Sequence, residues 1–271
     1  MIIGIDIGGT TTNIIGYNGT DIIHPLTVKA DDPVASAAGA LGKFLFESNQ
    51  NLSDIRCIAL TGVGAGSIGD TLFGIPVQHV GEFEAIGRGG TFLSGIPKAI
   101  VVSMGTGTAL VEVDPDRIEH WGGTGVGGGT LVGLSKYMLG ITDVHLLCQK
   151  AKMGKLNHID LSVGDISSSE LTGLADSLTA SNFGKNEDDA TEADMALAIF
   201  NLVYQTVAVT ANGAAKATGN EIVILTGRLP TLPQAKPIFD NLSDLFGVTF
   251  HTPKFAQYAT AVGASLSATL S

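Results

Sequence analysis

The sequence is short of charge, of cysteine and of aromatic side chains. Only 15% of its 271 residues are charged against 44% hydrophobic, which excludes a disordered chain and leaves ample material for a core. Acids outnumber bases, 26 to 15, for a net charge of −11, so no broad basic surface exists for a nucleic acid, although a local anion site stays open. The two cysteines, Cys57 and Cys148, fit no zinc or iron–sulfur spacing and read as free thiols. No basic stretch followed by an apolar core opens the sequence, so no secretion signal is read and the cytoplasm is the expected setting. The most apolar long stretch, 193–217, is interrupted by Asn201, Gln205 and Asn212 and reads as a buried helix rather than a membrane span. A G-x-x-x-x-G-K-[ST] loop is absent. The glycine turn near the start has neither a third glycine nor a following helix, so a Rossmann fingerprint fails as well.

Glycine, by contrast, is plentiful, with 36 copies gathered after apolar runs. Ile2, Ile3, Ile5 and Ile7 mark a buried strand that enters Gly8-Gly9-Thr10-Thr11-Thr12-Asn13. Glycines there let backbone N–H groups crowd around an anion. Asp6, just before the turn, is placed to hold a metal ion or its water shell, and the threonines offer hydroxyl donors. Thr11–Tyr17 alternates as a second strand, Asn18-Gly19 is a two-residue hairpin signal, and residues 21–28 follow as a third strand. A helix over 33–46, a strand over 55–60 ending in Thr61-Gly62-Val63-Gly64, a short strand over 76–80 and a helix over 82–93 complete a first lobe, 1–97. Gly95-Ile96-Pro97 breaks the chain there.

The second lobe, 98–271, opens in the same way. Ala99–Ser103 is an apolar strand, Gly105-Thr106-Gly107 turns, and Thr108–Val113 alternates. A third glycine loop, Gly122–Gly129, feeds a helix over 130–139, a favourable N-terminus for phosphate. Residues 155–190 are poorly periodic. A helix over 192–218, a strand over 221–225 running into Thr226-Gly227-Arg228, a helix over 234–245, a strand over 248–251 and a helix over 257–270 close an α/β pattern. Two matching hairpins a hundred residues apart predict related lobes facing across a cleft.

These stretches resemble the phosphate and adenosine motifs of the actin-like ATPases, the superfamily of actin, sugar kinases and heat-shock ATPases. The match is closest to the type II pantothenate kinases, through Gly4–Thr10, Leu60-Thr61-Gly62, Glu82-Phe83-Glu84-Ala85, Gly105–Thr108, Gly122–Gly129 and Leu178–Gly184. The resemblance implies a two-lobed, ribonuclease H-like α/β ATPase fold with duplicated βββαβαβα-type subdomains. It further implies ATP with Mg²⁺, phosphorylation of pantothenate on the way to coenzyme A, and a homodimer with hinge-like closure, with no part for nucleic acid or membrane. Glu82 then maps onto the catalytic base, and Asp6 onto the group organising the metal. Ile7 to Asn13, Gly105 to Gly107, Gly127 to Thr130 and Gly227 map onto nucleotide contacts. Thr106 and His120 join Glu82 as acceptor contacts. Three positions depart from the family pattern: Asn13 stands where Lys is usual, His120 where Arg is usual, and Ala109 where a hydroxyl is usual. They leave a second reading open, a kinase for another small alcohol such as a pantetheine-like compound or a sugar. A third is a non-catalytic ATP sensor. The remaining histidines fit no metal-ligand spacing.

Overall fold

The computed structural model describes residues 1–29, 31–167 and 175–269. The first sheet has the order β3-β2-β1-β4-β6-β5, built from β1 (Ile2–Ile7), β2 (Thr11–Tyr17), β3 (Ile22–Lys29), β4 (Cys57–Thr61), β5 (Thr71–Leu72) and β6 (Ile75–His79). The second has the order β13-β12-β7-β8-β9, with β7 (Ala99–Met104), β8 (Thr108–Asp114), β9 (Arg117–Thr124), β12 (Ile222–Gly227) and β13 (Thr249–His251). In each, three antiparallel strands are extended by two parallel ones, β4 and β6 on one side and β12 and β13 on the other. The duplication expected from the paired hairpins is therefore present at the level of whole sheets. A two-stranded piece, β10 (Leu161–Ser162) with β11 (Thr179–Ser181), stands apart.

Helix α1 (Pro33–Ser48) starts where Asp32 accepts a hydrogen bond from the Ala35 N–H at 2.7 Å and Pro33 occupies the first turn, as N-terminal chemistry favours. Helices α3 (Gly128–Leu139), α4 (Val144–Ala151), the single turn α5 (Val163–Ile166) and the long α6 (Glu192–Thr218) follow β9. Helix α6 is long and apolar enough to pass for a membrane span. Its Phe200, Val203, Tyr204 and Val207 are nevertheless buried in the core of the second lobe, against Ile100, Val102 and Leu225. Tyr204 still satisfies its hydroxyl there by donating to the Leu229 carbonyl at 2.9 Å, as a buried phenol must.

Helices α2 (Glu82–Ser94), α7 (Ala235–Phe246) and α8 (Ala259–Thr269) complete the elements. Helix α2 follows the first sheet in sequence yet packs on β7, β8, β9 and β12 of the second. Helix α8 follows the second sheet yet packs on β1, β2 and β4 of the first. The two helices cross backbone to backbone. A Cβ on Gly89 would lie 1.8 Å from the Ala259 carbonyl oxygen, and one on Gly263 would lie 1.8 Å from that of Ala85. Only glycine permits that approach. Beside the crossing, Glu84 Oε1 accepts from Arg88 Nε at 2.9 Å and from Ser267 Oγ at 3.0 Å, a structural use of both charges.

Several elements differ from the sequence reading. Tyr17 pairs with Ile22, so the β2–β3 loop has four residues, Asn18 to Asp21, rather than a two-residue turn. Asn18 Oδ1 closes it by accepting from the Thr20 and Asp21 N–H groups. The third glycine loop is shorter than Gly122–Gly129 because Gly122, Gly123 and Thr124 belong to β9, which the sequence reading left out. Gly123 is needed inside the sheet, since a Cβ there would meet the Thr108 carbonyl oxygen at 2.6 Å. Strand β5 and helix α4 were also missed, and α8 starts at Ala259 after a 3₁₀ turn. Its expected end at Leu270 lies outside the described residues.

Candidate active site

The first glycine turn is locked by its own backbone: the Gly8 N–H donates to the Thr11 carbonyl at 3.0 Å. Asp6, half-buried, is the register partner of Asn13 across β1 and β2, so both side chains share the face of the sheet that looks onto the cleft. Burial first, and the Glu82 charge second, push the Asp6 carboxyl up to about 7, against the opposing pull of a hydrogen bond from the Asn13 amide. The Glu82 carboxylate thus stands close enough to disfavour ionisation of Asp6. Gly62, at φ +91°, packs over this pair: a Cβ there would lie 2.6 Å from Asp6 Oδ1. Thr61, the register partner of Asp6 on β4, is buried, and its hydroxyl has no hydrogen-bond partner among the described residues.

The second turn faces the first. A Cβ on Gly9 would lie 3.6 Å from the Thr106 hydroxyl, so the fold brings Gly8, Gly9 and Thr10 opposite Gly105, Thr106 and Gly107. The start of α3 locks into that second turn. The Gly128 N–H donates to the Gly105 carbonyl and the Gly129 N–H to the Thr106 carbonyl, both at 2.8 Å. A Cβ on Gly127 would lie 2.8 Å from the Gly107 carbonyl oxygen. Thr108 Oγ1 donates to the Val126 carbonyl at 2.8 Å, and Thr130 Oγ1 to that of Gly125 at 3.1 Å. The Gly128 and Gly129 N–H groups, expected to serve phosphate, therefore hold the two glycine loops together. Gly227, at φ +90°, packs on Met104, whose carbonyl oxygen would be 2.5 Å from a Cβ there. Two further expected contacts turn inward. The Ile7 side chain is buried, with its carbonyl accepting from the Gly64 N–H at 3.0 Å. The Thr12 side chain is buried, and its hydroxyl has no partner among the described residues.

Glu82, exposed in the first turn of α2, begins the helix that the crossing presses onto the second sheet. Next to it, Phe83 stacks on His120 with ring centres 3.9 Å apart and planes 8° from parallel. A bulge in β9, where Val111 pairs with His120 and Leu110 with Gly122, turns that strand beside the stack; bulges serve this purpose at many sites. His120 is thereby carried to the residue beside Glu82. A cavity of about 650 Å³ is lined by Thr27, His145, Cys148, Lys152, Arg228 and Gln257, among others. Of its lining, the sequence reading reached only Arg228, within the stretch 224–229 that resembles an adenosine motif. Burial pushes the Cys148 thiol up, with Arg228 pulling the other way, which makes it a poor nucleophile.

Two glycine turns from duplicated sheets, face to face beside a carboxylate pair, define an ATPase-type cleft of the actin-like class. Solved structures agree on the fold. An activator of 2-hydroxyisocaproyl-CoA dehydratase from Clostridium difficile with bound ADPNP matches with a TM-score of 0.69 at 19% identity, covering 98% of this chain and 93% of that one. A ROK family glucokinase from Streptomyces griseus in complex with glucose and AMPPNP matches at 0.66 and 13% identity, covering 100% and 99%. A type II pantothenate kinase of Bacillus cereus is 29% identical over 286 residues, 98% of each chain. The Fumble family model matches residues 96–235, and the chain belongs to that family, with the type II pantothenate kinases.

Proposed function

We propose that this chain is an ATP-dependent pantothenate kinase, acting at the first step towards coenzyme A. The observation that carries the reading is the Asp6–Glu82 pair at the meeting of the two glycine turns, in a chain whose relative of full length is a type II pantothenate kinase. The cavity beside Arg228 has the size of a nucleoside pocket, and the turns at Gly9–Thr10 and Gly105–Gly107 receive the phosphates through backbone donors. In phosphoryl transfer, positioning and charge neutralisation carry most of the rate. Exposed at the cleft edge, Glu82 takes the proton of the acceptor hydroxyl as its oxygen bonds to the γ-phosphorus and the bond to the β-phosphate oxygen breaks. The Thr106 hydroxyl, opposite Gly9, bridges acceptor and transferring phosphate.

A hard divalent cation fits the Asp6 side of the cleft. The donors there are all oxygen, an unpaired buried Thr61 hydroxyl adjoins the carboxylate, and the upward-shifted Asp6 carboxyl marks a place short of positive charge. Asp6 would hold the water shell of Mg²⁺ there, Asn13 fixes Asp6, and the ion would supply neutralising charge for the phosphates. The Phe83–His120 stack beside Glu82 favours a second possibility for the acceptor, a small alcohol bound against an aromatic face. Turnover of pantothenate, pantetheine and sugars with ATP, followed by mass spectrometry of the product, decides between them. Pantothenate is expected to gain one phosphoryl group, and Glu82→Gln to lower turnover by about 10²–10⁴-fold while ATP binding persists. Absence of any product from pantothenate would remove this assignment.

A further inference from the structure

The cavity beside Arg228 and the Asp6–Asn13 pair are joined by two side chains, Thr27 and Gln257, that the reaction above leaves without a role. Gln257 Nε2 donates to Thr27 Oγ1 at 2.9 Å, and Thr27 Oγ1 donates to Asn13 Oδ1 at 2.7 Å. The Asn13 amide donates in turn to Asp6, its register partner. The direction of the chain is set by its parts. The one hydroxyl proton of Thr27 goes to Asn13, so its oxygen is left to accept from Gln257. Asn13 is only 8% exposed, and with its oxygen engaged by Thr27 its NH₂ group is the end turned towards Asp6. Thr27 and Gln257 themselves line the cavity. They come from distant places, β3 and the 3₁₀ turn before α8, and meet only in the fold.

We propose that Thr27 and Gln257 are positioning residues that hold the Asn13 amide, and through it Asp6, in the orientation the cation and phosphates require. The proposal rests on the kinase reading of the cleft. A nucleoside seated in the cavity touches the outer end of a hydrogen-bonded chain whose inner end is the carboxylate that would hold the metal.

The test uses Thr27→Val, which keeps the shape and removes the hydroxyl, Thr27→Ser, which restores it, and Gln257→Leu. Mn²⁺ affinity in the presence of ADP, read by electron paramagnetic resonance, is measured beside steady-state kinetics on the full chain. Thr27→Val is expected to weaken Mn²⁺ binding and lower kcat by about 5–10-fold each, the scale of one neutral hydrogen bond, with KM for ATP within about twofold. Thr27→Ser is expected to match the wild type, and Gln257→Leu to lose about 2–3-fold. A folded Thr27→Val that holds Mn²⁺ and turns over like the wild type overturns the proposal. So does an equal loss in Thr27→Ser, which would assign the effect to shape. If Thr27→Val does not fold, Gln257→Leu decides by the same readouts. A wild type that binds Mn²⁺ with ADP yet phosphorylates no pantothenate defeats the kinase assignment alone, since the Mn²⁺ comparison still judges the relay. A wild type that holds no Mn²⁺ with ADP overturns the relay itself.

Discussion

Strands β1 and β7 each run six residues into a glycine turn and return as a seven-residue strand, yet the two hairpins close differently. In the first lobe Ile7 pairs with Thr12; in the second Met104 pairs with Thr108, one residue tighter. A slip of one residue reverses which side chains share a face. In the first lobe it sets Asp6 against the amide of Asn13. In the second, Ser103, which holds the place of Asp6, is set against Ala109. The neighbouring strands tell the same story. Both β4 and β12 end in Leu-Thr-Gly, Leu60-Thr61-Gly62 and Leu225-Thr226-Gly227, and both glycines have φ near +90°. But Thr226 donates its hydroxyl to the Val102 carbonyl at 3.1 Å, while that of Thr61 is unpaired among the described residues. One lobe has kept a charged, incompletely satisfied pocket; the other has spent its polar groups on its own backbone.

Exchanging the paired residues should break this division most severely. Asp6→Ser gives the first lobe the side chain of the second and is expected to lower turnover by about 10²–10³-fold. The reciprocal Ser103→Asp, which places a new acid beside the phosphate turn, is expected to cost about tenfold. Steady-state kinetics on both variants checks the asymmetry, and equal losses would show that the lobes share the charge chemistry. The matched pair Gly62→Ala and Gly227→Ala sharpens it further. Each forces a side chain into positive φ and should destabilise by about 1–3 kcal/mol, measurable by denaturant titration. Only the Gly62 variant drives a methyl onto the Asp6 carboxylate, so for an equal loss of stability it should lose more turnover than the Gly227 variant.

The smallest effect is a difference of sign between two acids. Asp194, buried in the second lobe, is penalised by burial, yet hydrogen bonds from the Thr191 and Lys155 N–H groups and the Thr191 hydroxyl, with nearby His158, bring its carboxyl down to about 2. Its unfolded counterpart binds a proton near the ordinary 3.8. The folded state thus gains stability above pH 4 that is lost as pH falls through about 2, on the order of 1–2 kcal/mol. Asp6 is the reverse. Its raised carboxyl keeps a proton that the unfolded chain releases, so in the cation-free protein stability falls as pH rises from about 4 through about 7. Thermal melting across pH should therefore show Asp194→Asn losing stability at pH 5 but not at pH 2. It should show Asp6→Asn more stable than the wild type at pH 8 without cation. A destabilised Asp6→Asn at that pH would contradict the account.

Much of this was legible in the sequence because it is local. The isoleucines of β1, the glycines that follow and the helix over 192–218 carry their periodicity on their face. Strand β9 was not legible, because its glycines, Gly122 and Gly123, imitate a loop, although Gly123 is demanded by a neighbouring strand's carbonyl. The Asn13–Thr27–Gln257 chain could not be read at all, since Gln257 reaches Thr27 across 230 positions. Asn13 drew notice as a nucleotide contact and as a departure from a family pattern, not as a partner of Thr27. His120 was likewise noticed as a departure, but its stacking on Phe83 depends on a bulge that no spacing announces.

The exchange of α2 and α8 between the lobes has a consequence for how the protein is made. Gly4 on β1 rests against the Ala261 carbonyl of α8, which a Cβ there would meet at 2.0 Å. Strand β1 therefore leaves the ribosome about 250 residues before the helix that covers it. At about 5–20 residues per second, the cleft-side face of β1 and β4 waits on the order of tens of seconds for its partner. During that interval the nascent chain shows Ile2, Ala59 and the lower end of β2 to the cell, and it is in that window that a chaperone has something to hold.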